Sequence, residues 1–180
     1  MIPFIDIINK YYLDFPVAKS ILITHSTLVA NKAIAISEKH PELKADNDFI
    51  HEAAMLHDIG IFLTDGKEIG CSGSLPYICH GYKGYELLME EKLPKHALVC
   101  ERHTGCGLSI TEIIEKQIPL PHREMIPVSI EEQIICYADK FYSKTEPLER
   151  TKSIDKIFKQ MAKHGFEQVD KFKQWHELFS

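Results

Sequence analysis

The chain has 180 residues, the usual size of one domain, and its 44% hydrophobic and 26% charged residues are typical of an ordinary globular protein. Its net charge of -5 at pH 7 gives no electrostatic support for binding a nucleic-acid polymer. No apolar stretch reaches the roughly 18 residues that a membrane-spanning helix needs, and the N-terminus lacks the basic segment and cleavage site of a signal peptide.

The first half of the chain is predicted to form four helices. A long helix begins near Pro16 and ends before Pro41. Its apolar face recurs at spacings of three and four residues: Ile21, His25, Val29, Ala33 and Ile36. A second helix is predicted at about 48–57, a third at about 81–92, and a fourth from Pro94, a favoured first-turn residue, to about His103.

Residues 59–79 separate the second helix from the third. They hold four glycines and one proline, which predicts a loop. The part 61–75 is long enough to form a functional lid, although a plain surface loop explains it equally well.

The second half contains two sequence signatures of helix starts. Ser109 is followed by Glu112, and Ser129 by Glu132, at the spacing of a capping box. A proline-rich connector, 118–127, lies between them, and two amphipathic helices follow. Strand signals are almost absent. We therefore expect an all-α, single-domain helical bundle over residues 1–180, with its core in 16–145 and a C-terminal helical extension, 146–180, packed on that core.

The cysteines give no sign of a disulfide framework. They are odd in number and scattered, and no pair has Cys-x-x-Cys spacing. Their positions are Cys71, Cys79, Cys100, Cys106 and Cys136. This pattern favours reduced thiols and predicts a cytoplasmic protein.

The adjacent pair His57 and Asp58 is the most informative feature of the sequence. It closes the apolar second helix and is followed directly by Ile59 and Gly60. An imidazole nitrogen and a carboxylate oxygen at one helix end can bind the same metal ion. The pair therefore suggests a metal site, provided that the rest of the chain supplies more ligands.

Four further residues are candidates for such ligands. Asp139 lies in an apolar stripe, where a carboxylate needs a cation or strong hydrogen bonds. His25 and His103 lie on apolar helix faces, and His80 opens the third helix. Each one taken alone is better explained as a hydrogen-bonded residue of the core. Taken together, four histidines and two carboxylates are a set that facing helices can use to bind a metal.

The ordered residues resemble a known family. His25, then His57-Asp58-Ile59-Gly60, then Asp139 resemble the His…His-Asp…Asp signature of the HD-domain superfamily, in its HDIG subset, over roughly residues 20–145. His80 and His103 resemble the extra histidines of its two-metal branch. That branch includes HD-GYP cyclic-dinucleotide phosphodiesterases, diadenosine tetraphosphate hydrolases and a few di-iron oxygenases. The resemblance implies a helical bundle of the HD-domain type.

The resemblance also implies the ligands of two divalent transition-metal ions. The first would be bound by His25, His57, Asp58 and Asp139. The second would be bound by His80 and His103, with Asp58 as the bridging ligand. Nitrogen and oxygen ligands favour Fe or Mn here, and Zn, Co and Ni also suit them. A bridging water or hydroxide between two such ions suits the hydrolysis of a phosphoester.

The chain also departs from named branches of the superfamily. Ile61 stands where HD-GYP proteins carry a lysine, and Thr104 to Gly107 stand where their Gly-Tyr-Pro signature would follow His103. A cyclic dinucleotide is therefore not the expected substrate. Single-metal members usually carry acidic residues after the His-Asp doublet, which Ile61 to Leu63 do not supply. Small stand-alone HDIG proteins of bacteria and archaea share a Glu-Arg-His-x-Gly run, here Glu101 to Gly105.

A phosphorylated substrate needs cations near the metals. Lys83, Lys140 and Arg123 are the candidates, and with Asp58 they form the predicted catalytic set. Lys83 follows His80 by about one turn, Lys140 adjoins Asp139, and Arg123 lies on the proline-rich connector. An ordinary solvated cation or a surface ion pair is the alternative for each of them.

Three functions are consistent with these residues. The leading prediction is a metal-dependent phosphohydrolase acting on a small phosphoester or nucleotide. The alternative is a mixed-valent di-iron oxygenase acting on a small polar substrate, because the same ligand order occurs in both. The third is a non-catalytic metal-stabilised or nucleotide-binding domain. We expect a small phosphorylated molecule as partner, no nucleic-acid polymer and no membrane, and we consider a homodimer.

Overall fold

The computed structural model describes residues 2–145 and 147–180 and shows a mostly helical protein, which confirms the predicted all-α class. The helices in this part of the chain are α1 (Phe4–Tyr11), α2 (Pro16–Lys39), α3 (Asn47–Leu56), α4 (His80–Glu90), α5 (Pro94–Arg102), α6 (Ile110–Glu115), α7 (Ile130–Asp139), α8 (Ile154–Ala162) and α9 (Phe166–Phe179). The predicted helices α2 to α5 begin and end within about two residues of the expected positions. The short helix α1 was not predicted.

The long helix α2 is the central element of the bundle. It packs against α3 on one side and α7 on the other. Pro16 occupies its first turn, where the missing N–H costs nothing, and the helix ends before Pro41. Its buried residues include His25, which carries an imidazole into the interior. The packing of α2 therefore places a polar side chain between three helices.

The end of α3 and the start of α4 are pressed together. Asp46 caps α3 by accepting a hydrogen bond from the Phe49 N–H. After Leu56 the chain turns, and a Cβ atom on Gly60 would overlap the His80 carbonyl oxygen and the backbone of Gly84. Only glycine allows this approach, which brings the His57 and Asp58 turn against the beginning of α4.

The segment predicted as a loop, 59–79, contains more structure than expected. It consists of short 3-10 turns and a small antiparallel hairpin, in which β1 (Asp65–Gly66) pairs with β2 (Cys71–Ser72). The glycines and proline indicated correctly that no α-helix forms here. The local hydrogen bonds of such short turns leave no periodic pattern in the sequence.

Two of the predicted helix starts have the expected caps. The Ser109 hydroxyl accepts a hydrogen bond from the Glu112 N–H, and the Ser129 hydroxyl accepts one from the Glu132 N–H. Each serine thus satisfies one N–H that the first turn of a helix leaves without a partner. Helix α7, which Ser129 begins, ends at Asp139.

The C-terminal helices α8 and α9 pack against each other, and α9 also packs against α7. The Gln168 side chain of α9 accepts a hydrogen bond from the Cys106 N–H and donates one to the Gly107 carbonyl. It therefore fixes the turn that follows α5. The division into a core, 16–145, and an extension, 146–180, stays a prediction, and its boundary residue 146 lies outside the described residues.

The five cysteines are free and buried. Within the described part of the chain, we find no helix that combines the length and apolar character needed to cross a bilayer.

Candidate metal centre

The six predicted ligands meet in the interior of the bundle. They form two groups that share one residue, and the ligand atoms within each group lie within 4.8 Å of one another. The first group is His25, His57, Asp58 and Asp139, and the second is Asp58, His80 and His103. All six are buried. They come from α2, the turn after α3, the start of α4, the end of α5 and the last residue of α7.

The first group is arranged around two carboxylate oxygens. Asp139 Oδ1 lies 2.9 Å from His25 Nε2 and 3.5 Å from His57 Nε2. Asp58 Oδ2 lies 3.3 Å from His25 Nε2 and 3.1 Å from His57 Nε2. Two imidazole nitrogens and two carboxylate oxygens therefore converge on one small volume.

The second group uses the other oxygen of Asp58. Asp58 Oδ1 lies 3.3 Å from His80 Nε2 and 3.3 Å from His103 Nε2. The same carboxylate thus turns one oxygen to each group. In this position Asp58 could serve as a ligand in each group.

Three of the histidines have the same orientation. Each presents its Nδ1 to the backbone carbonyl of the residue three positions earlier, at 2.6–2.7 Å. The pairs are His57 with Ala54, His80 with Tyr77, and His103 with Cys100. Because a carbonyl can only accept, Nδ1 carries the hydrogen and the lone pair of the neutral ring lies on Nε2. The Nε2 atoms that face the centre are therefore prepared as metal ligands.

Several of the donor atoms also lack a hydrogen-bond partner, as expected of metal ligands when no ion is bound. In the part of the chain that the structure describes, His57 Nε2 and both oxygens of Asp58 are buried without a hydrogen bond of good geometry. His80 Nε2 and His103 Nε2 lie 3.0 Å apart, so two lone pairs face each other. Buried groups of this kind are stabilised by a cation between them. Their nitrogen and oxygen atoms suit a divalent transition metal.

The buried charges at the centre shift the pKa values of several candidate ligands. Burial lowers the pKa of His57, but Asp58 and Asp139 outweigh this effect and raise it from 6.5 to about 9. Burial raises the pKa of Asp58, but His57 and Lys144 hold it well below its usual range. In contrast, burial lowers the pKa of His80 to about 3. Without an ion, His57 is therefore protonated at neutral pH and His80 is not.

Metal binding is expected to release a proton. His57 can bind an ion through Nε2 only after losing the proton that its raised pKa of about 9 retains. Raising the pH removes this competitor, so the metal affinity should rise roughly tenfold per pH unit between about pH 6 and pH 8 and level off above the pKa. Calorimetric titration in buffers of different ionisation enthalpy measures the proton count. An affinity that does not change over this range would contradict the assignment of His57 as a ligand.

The three predicted substrate-binding cations differ in the groups that they contact. Lys140 is partly buried, and its Nζ donates to the His103 carbonyl at 2.9 Å and to Asp139 Oδ2 at 2.7 Å. It therefore holds two elements of the centre in position. Lys83 pairs with Glu86, and Arg123 pairs with Glu101.

Neither Lys83 nor Arg123 lines the cavity that lies beside the centre. Ring contacts engage both, Lys83 over Tyr82 and Arg123 over Tyr85. Contact of these two residues with a substrate stays a prediction.

A cavity of about 860 Å³ opens beside the two groups. His80, His103 and Asp139 form part of its wall. Residues 65–69 of the hairpin, 160–161 of α8 and 163–164 just after α8 line other parts of it. Its size falls in the range of small-molecule sites. Part of the segment 61–75, proposed as a lid, therefore borders the cavity.

Lys144 also lines this cavity, and the sequence did not single it out. Its Nζ lies 2.6 Å from Asp58 Oδ2. Burial lowers its pKa, but the attraction of Asp58 outweighs this effect and raises the pKa well above its usual value. It stands after the end of α7 in a stretch without periodicity or motif, so no sequence signal marks it.

Comparison with known proteins agrees with this geometry. A family model described as HD domain matches residues 22–144, which is more than half of the chain and includes all six candidate ligands. The chain belongs to the HD domain family. Membership of the HD domain family indicates a metal-dependent enzyme, commonly a hydrolase, and together with the cluster it indicates a divalent-metal site.

Several curated proteins are similar to this HD domain chain. An uncharacterized protein of Methanocaldococcus jannaschii is 31% identical, over 84% of this chain and 89% of that protein. A tRNA (cytidine(56)-2'-O)-methyltransferase of Thermoplasma volcanium is 27% identical, over 93% of this chain but only 44% of the enzyme. Its counterpart of Picrophilus torridus is 27% identical, over 77% of this chain and 36% of the enzyme. The chain thus spans less than half of either methyltransferase. No solved structure matches significantly.

Proposed function

We propose that this HD domain is a metal-dependent phosphohydrolase that hydrolyses a small phosphoester or nucleotide with two divalent ions. The observation that carries the proposal is the carboxylate of Asp58, whose two oxygens face separate groups of donors. Two ions held side by side would activate a water and stabilise the charge of the phosphoryl oxygens.

Each residue of the centre has a role in this proposal. His25, His57 and Asp139 would bind one ion, His80 and His103 would bind the other, and Asp58 would be a ligand of both. Lys140 keeps Asp139 oriented, because it pairs with Oδ2 while Oδ1 faces the histidines. The mixed nitrogen and oxygen donors favour Fe or Mn, and Zn, Co or Ni are the other candidates.

The charge balance of the centre supports an anionic substrate. Two divalent ions would bring four positive charges, and the partly buried ammonium groups of Lys140 and Lys144 add two more. Only the carboxylates of Asp58 and Asp139 oppose them among the six ligands. Because uncompensated charge is costly in a buried site, a phosphate group is a better partner than a neutral molecule.

The methyltransferase relatives do not lead us to propose methyl transfer. The chain matches less than half of each of them, so the activity in their names can belong to the part that this chain does not match. The net charge of -5 also supports a small substrate rather than a nucleic-acid polymer. A cytoplasmic location, and a homodimer as one arrangement to consider, remain part of the prediction.

Hydrolysis by the metal-loaded protein tests the proposal. Protein freed of metal with a chelator is reloaded with Mn, Fe, Co or Zn and incubated with a panel of phosphoesters and nucleotides. We expect phosphate release that requires the metal and is absent in Asp58→Ala, a variant that also controls for contaminating phosphatases. No release with any metal, although elemental analysis shows both sites filled, would contradict the proposal.

The same preparation distinguishes the oxygenase. A mixed-valent di-iron enzyme would consume O₂ with its substrate, would need two irons, and would show an EPR signal from the half-oxidised pair. We expect phosphate release with Mn, which an oxygenase of this type would not produce.

A further inference from the structure

Lys144 is held directly beside the shared carboxylate. Its Nζ lies 2.6 Å from Asp58 Oδ2, and its side chain is only 14% exposed. Tyr77, from the segment before α4, lines the same cavity as Lys144. Lys144 itself belongs to the connection between α7 and α8. The ion pair therefore joins the connection after α7 to the turn after α3 and brings this positive charge to the centre.

Lys144 has more unused donor capacity than Lys140. An ammonium group has three N–H donors. Lys140 donates to the His103 carbonyl and to Asp139 Oδ2. Neither oxygen is one of the candidate ligand atoms described above, so both hydrogen bonds can persist when metal and substrate bind. The ion pair of Lys144 is with Asp58, the residue whose charge two ions would share. Once ions take up that charge, the ammonium is held less strongly and can turn to another anion.

The position of Lys144 matches the place where such an anion would bind. Lys144, Tyr77, His80 and His103 all line the cavity of about 860 Å³. A molecule that entered the cavity and reached the donors in its wall would therefore meet the ammonium of Lys144. A lysine suits a phosphate group there as a mobile point charge.

We propose that Lys144 binds the phosphoryl group of the substrate at the metal centre, with Asp58 holding its ammonium in place. This inference rests on the proposed function, and it names a substrate-contacting residue that the sequence motif does not contain. Because the carboxylate of Asp58 can interact with more than one partner, it can stay paired with Lys144 and still bind metal.

The test compares Lys144→Met with Lys144→Arg and a matched control. Lys10→Met removes an ammonium that also lies 2.6 Å from a carboxylate, that of Glu91, but its side chain is 62% exposed and does not line the cavity. For each variant, elemental analysis gives the metal content, calorimetry gives the affinity for inorganic phosphate, and steady-state kinetics give kcat and KM. We expect Lys144→Met to keep its metal and to lose about tenfold to hundredfold in phosphate affinity, as the loss of a charge-assisted hydrogen bond predicts.

The arginine variant tests whether the positive charge is sufficient, and Lys10→Met is the control for removing a lysine elsewhere. Lys144→Arg keeps the charge and should recover part of the phosphate affinity, and Lys10→Met should match the unaltered protein. Unchanged phosphate affinity in Lys144→Met with full metal content would overturn the inference. Loss of metal from both Lys144 variants would also overturn it, because Lys144 would then support the ions rather than the substrate.

Failure of the proposed function gives a different result from failure of this inference. If phosphoesters are hydrolysed equally well by Lys144→Met, the inference fails and the function stands. If nothing is hydrolysed by any form but Lys144→Met still loses phosphate affinity, anion binding by Lys144 stands and the function fails.

Discussion

Replacing Asp58 by Asn is expected to deplete metal from both groups of donors at once. The substitution removes the negative charge and leaves one carbonyl oxygen where two carboxylate oxygens face separate groups. The amide nitrogen is a donor, so it cannot serve as the second ligand. The loss of affinity should exceed the 10–100-fold that is typical of removing a residue around the ligands. Hydrolysis should disappear with the metal.

The pattern of loss distinguishes a bridge from a simple ligand. His80→Ala should empty mainly the second site, because its Nε2 contacts only the donors of that group. Elemental analysis after equilibration with Mn gives the number of ions per chain. Equal losses in Asp58→Asn and His80→Ala would refute the bridging role. Asp14→Asn, the same change at an exposed carboxylate, should leave the count unchanged.

Asp58→Asn also leaves Lys144 without its ion-pair partner. A buried charge that loses its partner typically costs about 3–5 kcal/mol. Thermal unfolding should therefore accompany the metal counts, and the counts should be taken well below the midpoint of the variant. A folded variant without metal is the expected result.

Replacing Phe172 by Ala is expected to lower the free energy of unfolding by about 3–5 kcal/mol. Phe172 is fully buried in α9, and its ring lies 5.2 Å from that of Tyr137 on α7 and 5.2 Å from that of Phe158 on α8. Alanine would leave a cavity between three helices. Because these helices come from both sides of the predicted boundary, the result also tests whether residues 146–180 pack on the core.

Urea unfolding of the metal-free protein measures this effect, because bound metal would add its own stabilisation. Phe166→Ala is the matched control, since Phe166 is 81% exposed and begins the same helix. We expect its free energy of unfolding to change by less than about 0.5 kcal/mol. A similar small change for Phe172→Ala would mean that α9 does not pack on the core in solution. A separate unfolding step at low urea would mean that the extension unfolds independently.

The sequence determined the helical framework because apolar spacing reflects burial directly. Prolines and capping serines gave the ends of α2, α5 and α7 closely. The short helix α1 and the hairpin of residues 65–72 were missed, because each forms only a turn or two of local structure whose stability comes from neighbours.

The six candidate ligands were also predictable from the sequence. Each is a charged or imidazole side chain on an apolar face or at a helix end, and their order matches a family motif. That pattern shows that the polar residues point inward. It does not give the distances between them, because those depend on how α2, α3, α4, α5 and α7 cross.

Only the tertiary structure decided how these residues work together. It turned the two oxygens of Asp58 to different donors, and it brought Lys144 from the connection after α7 to the same carboxylate. The tertiary structure also places Arg123 and Lys83 in ion pairs with nearby glutamates. A lysine in a connection has no periodicity to place it, and a cation binds whichever carboxylate the fold puts within reach. The sequence by itself thus determined the helices and the candidate metal ligands, whereas helix packing decided which charges lie around them.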